Sequence, residues 1–142
     1  MTSIINASIS SNGIVSTADA SGILKVQSNG VTTNALAWVN FNGTGSSGSA
    51  TIRSSYNVTS VTINATGDFT VNLTNATTDI NYAPVISCSS TGSSNFVLGT
   101  INTILSSSAN QAPTTTAFRV NTGVYAVGAQ SATYVSVVVF GN

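Results

Sequence analysis

Six side chains carry charge in this 142-residue chain, Asp19, Lys25, Arg53, Asp68, Asp79 and Arg119, and histidine and glutamate are absent. Most enzymes move protons with such groups, so this short census decides which reactions are open. Without histidine, neither a Ser-His-Asp nor a Cys-His arrangement has its base. Glycoside hydrolysis needs two carboxyl groups across a sugar, and three aspartates are all there are. Asp68 follows Gly67 at what reads as a hairpin turn, and Asp79 precedes Ile80-Asn81-Tyr82 at a strand entry. Both fit turn closure through an Asx hydrogen bond, which leaves carboxylates meeting across subunits as the one hydrolytic route. A calcium site built on Asp68 and its Asn and Thr neighbours is short of carboxylates. Cys88 is the single cysteine, so it excludes an intrachain disulfide and a CxxC metal cluster and reads as a buried filler. The glycines match no phosphate-binding or dinucleotide-binding pattern. We therefore expect a non-enzyme with no catalytic residue, no metal and no cofactor.

The charged fraction is 4%, against about 25% in ordinary globular domains. Polarity comes instead from Ser, Thr and Asn, whose neutral hydroxyls and amides let like surfaces meet without repulsion. That composition suits assembly. The three cations lie far apart in sequence, so nucleic acid is not an expected partner. Hydrophobic content of 42% with zero formal net charge argues for a folded chain with one core. The opening MTSIINASIS has no basic n-region, and no run of about 18 apolar residues occurs, so neither a secretion signal nor a membrane span is expected. Asn-x-Ser/Thr triplets at Asn6, Asn42, Asn57, Asn64, Asn72 and Asn75 read as a product of composition.

Any site must be positioned by strands, because period-two alternation dominates and helical periodicity is lacking. Residues 36–42 set Ala37, Val39 and Phe41 against Leu36, Trp38 and Asn40, predicting a strand covered on both sides, either central or at a subunit contact. Trp38 then reads as core, with sugar stacking by Trp38 or Tyr125 as the alternative. Residues 42–48, with three glycines, read as a flexible loop. Val58, Val61 and Ile63, then Asn64-Ala65-Thr66-Gly67, then Phe69, Val71 and Leu73 predict a hairpin with Gly67 at positive φ. Further strands are expected over 82–87, with Pro84 marking an edge or irregular strand, and over 96–103, 117–121 and 134–140. The last is uncharged and would aggregate on an open edge, so it must be paired and covered.

Short, regularly spaced strands with Gly, Asn and Ser turns define the expected class: all-β, an antiparallel β-sandwich or jelly-roll-like domain over residues 35–142. Its core or subunit-interface positions are Trp38, Phe41, Tyr56, Phe69, Val71, Tyr82, Val135, Val137, Val139 and Phe140. Residues 1–34 lack aromatics and carry too few apolar side chains for a domain of their own. They form either a short extended N-terminal arm that attaches to a neighbour, or the first two strands of the same sandwich.

The string AWVNFNG at 37–43, with IRSSYNV at 52–58, TGDFTVN at 66–72, DINYA at 79–83 and YVSVVVFG at 134–141, resembles a tail-fibre-like β-rich module of bacteriophage virion proteins. That module recurs in phages of cyanobacteria and other aquatic bacteria. TADASGIL at 17–24 is similar to an element near the start of phage appendage proteins. The resemblance implies a non-enzymatic virion component, trimeric, assembled in the host cytoplasm alongside capsid, neck or tail proteins. Without a long shaft or a large tip, a surface-attached capsid decoration or short head, neck or tail appendage is expected. The alternative is a receptor-binding adhesin module that takes a host surface glycan.

Overall fold

The computed structural model describes residues 27–28, 31–32, 35–89, 98–101, 112–124 and 128–141, and every regular element among them is a β-strand. In chain order these are β1 (Gln27–Ser28), β2 (Val31–Thr32), β3 (Ala37–Asn42), β4 (Gly48–Ser49), β5 (Thr51–Tyr56), β6 (Val58–Ala65), β7 (Asp68–Leu73), β8 (Ala83–Cys88), β9 (Leu98–Ile101), β10 (Ala117–Val124), β11 (Gly128–Ala129) and β12 (Val135–Phe140). One antiparallel sheet runs β5-β3-β12-β8; the other runs β11-β10-β7-β6-β4, with β9 also on β10. Among the described residues, β1 and β2 pair with each other.

The two sheets make an antiparallel sandwich because each presents one apolar face to the other. Phe41 of β3 meets Phe69 of β7 edge-on, with ring centroids 5.1 Å apart at 70°. Around this pair lie Val39, Val135, Val137 and Val139 from one sheet and Val61, Val71, Phe118 and Val120 from the other, all buried. Full burial of each such side chain contributes roughly 1.5–3 kcal/mol. Tyr82 extends the core, its ring 5.7 Å from that of Phe118. Its hydroxyl donates to the carbonyls of Thr114, at 2.7 Å, and Ala117, at 3.2 Å.

Two residues with left-handed backbone set the path of the chain. Asn57 (φ 55°) is the single residue between β5 and β6, where the chain crosses from one sheet to the other. Its amide donates to the Leu36 and Asn75 carbonyls and its Oδ1 accepts from Asn75 N–H, so the side chain holds the corner. Asparagine tolerates this conformation better than most residues. Gly67 (φ 68°) turns β6 into β7, giving the hairpin its sequence announced.

Three expectations need correction. β3 is central, between β5 and β12, and within the chain its Ala37, Val39 and Phe41 face is covered; Trp38, read as core, instead stands 37% exposed on the other. At the start of the strand Leu36 and Trp38 are as apolar as Ala37 and Val39, and period two does not say which residues meet the second sheet. The glycine-rich stretch after β3 is not wholly irregular, since Gly48 and Ser49 pair with Ile63 and Thr62 of β6. Cys88 is half-buried against the core rather than fully enclosed. Pro84 lies in β8, at the edge of its sheet. Strand 96–103 is described only over Leu98–Ile101. The arm expected over 1–34 lies outside the described residues apart from the backbone of β1 and β2, as do Asp19, Lys25 and Tyr125.

Candidate functional site

Because inward side chains alternate with outward ones, each sheet also presents an outer face. On the six-stranded sheet that face is a ladder of neutral hydrogen bonds. Asn72 of β7 donates to Ser60 Oγ of β6 at 3.0 Å, and Asn64 donates to Thr70 Oγ1 at 2.9 Å. Thr59 and Thr74 join their hydroxyls at 3.0 Å. In this ladder sits an ion pair. The Arg119 guanidinium on β10 grips the Asp68 carboxylate at the start of β7, donating from Nε to Oδ1 at 2.7 Å and from Nη2 to Oδ2. Asn64 adds a longer contact to Oδ1 at 3.5 Å. The Asp68 hydrogen bond raises the Arg119 pKa above its ordinary value; partial burial opposes this and the Asp68 charge reinforces it.

Asp68 was expected to close its turn, and this is a correction: it is buried, and its partner lies 51 residues away on the neighbouring strand. No local signal in the sequence marks such a pairing. Asp79 does close a turn, with Oδ1 accepting from Asn81 N–H at 2.7 Å. Beside Arg119, a cleft of about 40 Å³ is lined by Thr70, Ala112, Thr114, Ala117, Phe118 and Arg119. Ligand pockets are typically about 300–1,000 Å³, so this one suits water rather than an organic substrate. Among the described residues, no three His, Cys, Asp or Glu side chains gather as metal ligands. Burial raises the thiol pKa of Cys88, which leaves it a poorer nucleophile.

The outer face of β5-β3-β12-β8 is different in kind. The registers place Tyr56 opposite Trp38, Trp38 opposite Val138, and Val138 opposite Val85, so one apolar row crosses all four strands. Phe140, opposite Ala83, extends it and is 42% exposed. The next row is polar: Ser54, Asn40, Ser136 and Ser87, with Asn40 donating to Ser136 Oγ at 2.8 Å. Arg53 closes this end, its guanidinium carbon 4.1 Å from the Tyr134 ring centroid. It donates to the Thr133 carbonyl at 2.8 Å and reaches Asn40 Oδ1 at 3.5 Å.

The structure thus divides the ten core or interface positions. Phe41, Phe69, Val71, Tyr82, Val135, Val137 and Val139 are in the core, whereas Trp38, Tyr56 and Phe140 share the outer face of the four-stranded sheet. Arg53 and Tyr134 complete that face without a local signal, since the strand bringing Arg53 there is far from Tyr134 in sequence. No family model, curated protein or solved structure matches the chain.

Proposed function

We propose that this chain is a non-enzymatic structural protein of a bacteriophage virion, a surface-attached capsid decoration or short head, neck or tail appendage that works by self-association. The observation that carries the reading is the fate of its charges. Asp68 and Arg119 neutralise each other, Asp79 binds a backbone N–H, and Arg53 is held by Thr133 and Tyr134. Each of the four charged side chains among the described residues is therefore engaged within the chain, and apart from the Arg53 guanidinium and the Asp79 carboxylate the outward groups are neutral hydroxyl, amide and hydrocarbon. Such a surface has little with which to move protons and little to repel its own copy. The phage setting rests on the AWVNFNG-type strings described above.

Sedimentation of the purified protein tests the self-association: a defined oligomer at micromolar concentration is expected, and a monomer throughout refutes it. Labelling of intact particles under the electron microscope tests the virion setting. A second reading, a carbohydrate-binding adhesin module, is favoured by one observation, the exposed Trp38 beside a row of Asn and Ser side chains. Aromatic faces and neutral hydrogen-bonding groups together suit sugars, and binding of the protein on a glycan array would establish it.

A further inference from the structure

The row Tyr56, Trp38, Val138 and Val85 is the structure's least expected feature for a chain standing alone. Single exposed apolar side chains are ordinary, but a contiguous row rimmed by polar residues marks a contact surface. Here the other face of the same four strands is already buried in the core, so the sheet carries an apolar row on the outer face in addition to its apolar inner face. Trp38 is 37% exposed and Val85 57%.

We propose that a second copy of this chain seats on the outer face of β5-β3-β12-β8, with Trp38 at the centre of the contact. The inference rests on the self-associating reading above and names the surface it uses. Charge selects the occupant. Of the four charged side chains among the described residues, only Arg53 is placed on this face, at its rim. An acidic partner would find one cation and a basic partner no described anion; a neutral surface complements another neutral surface, and this chain supplies one. Its polar row, with Asn40 bonded to Ser136, can trade hydrogen bonds with an identical row without stranding a charge.

Size agrees with a contact centre. Four strands at about 4.8 Å and six residues at about 3.4 Å give a footprint of about 400 Å². A standard interface takes about 800 Å² from each partner, so the apolar and polar rows of this sheet supply the centre and the rim with Arg53 and Tyr134 the surround. Two such sheets stack at about 10 Å, the spacing already used inside the sandwich.

Trp38 is the only tryptophan in the chain, so the centre of the contact carries its own reporter. Acrylamide quenching of its fluorescence is measured across a dilution series while sedimentation reads the oligomer. Quenching is expected to be strong in the monomer and to fall in step with assembly. Trp38→Ala, assayed by sedimentation alone, is expected to raise the dissociation constant about 30-fold. Val85→Lys, an outward change on an edge strand, is expected to block assembly while circular dichroism shows the fold retained. An oligomer in which Trp38 stays as quenchable as in the monomer overturns this inference and leaves self-association standing. Trp38 shielded while the protein is monomeric, or its emission altered on the monomer by soluble lipopolysaccharide O-chain, would assign the face to another occupant. A protein monomeric at every concentration overturns the inference and the reading beneath it.

Discussion

The Asp68–Arg119 pair allows a stability prediction whose order runs against the usual expectation that two halves of a salt bridge matter equally. Arg119 keeps 19% of its side chain in water and Asp68 keeps 2%. Replacing Arg119 with Met preserves the apolar stem but removes both guanidinium donors from the carboxylate, leaving it the Asn64 amide at 3.5 Å. Leaving a buried charge uncompensated costs about 3–5 kcal/mol. Asp68→Asn is milder, because the amide oxygen still accepts from Nε and the guanidinium turns to solvent; about 1–2 kcal/mol is expected. Urea unfolding followed by far-ultraviolet circular dichroism separates the two. With a slope of about 2 kcal/mol/M, the midpoint falls by about 2 M for Arg119→Met and by about 0.5–1 M for Asp68→Asn. The double variant should be more stable than the sum of the single losses by at least about 1 kcal/mol, since the carboxylate that Arg119→Met strands is then gone. Equal losses, the reverse order, or strict additivity would refute the reasoning.

Burial lifts the Tyr82 hydroxyl from its ordinary 10.0 to about 12. The folded chain therefore holds this proton more tightly than the unfolded chain does; the stabilisation is intact below pH 10 and lost as pH rises towards 12, up to about 3 kcal/mol. Tyr82→Phe should flatten that part of the alkaline stability profile and cost about 1 kcal/mol at neutral pH, read by thermal melts. Gly67→Ala should destabilise by at least about 2 kcal/mol in urea, from the left-handed backbone and a Cβ set 2.8 Å from the backbone N and O of Gln130. Phe69→Ala should cost about 3–5 kcal/mol by emptying the centre of the core, while Trp38→Ala costs the monomer under about 1.5 kcal/mol. A Trp38 loss as large as that of Phe69 would place Trp38 inside.

What the sequence disclosed was local. Alternation around Phe69 and Val71, the Gly67 turn and the Pro84 edge are all decided within a few residues, and the sandwich class follows from their repetition. The fate of Asp68 depended on Arg119, which arrives from a strand 51 residues onward, so the nearest explanation, a turn bond, stood in its place. Trp38 failed for another reason. Strict alternation puts Leu36 with Trp38 and Ala37 with Val39 and Phe41, so both sets look suited to a core; in the structure Leu36 precedes the strand and joins the core, and Trp38 alone is left outside. The candidate surface was legible as a set of residues but not as a direction.

β12 lies between β3 and β8, both of which precede it in the chain. A ribosome therefore delivers the neighbours first and the strand that joins them last, so vectorial synthesis holds one sheet open until residues 135–140 have emerged. During that interval the sticky edges of β3 and β8 face solvent unsatisfied, which ties native yield to the timing of β12 and makes slow or stalled translation here a direct route to misassembly.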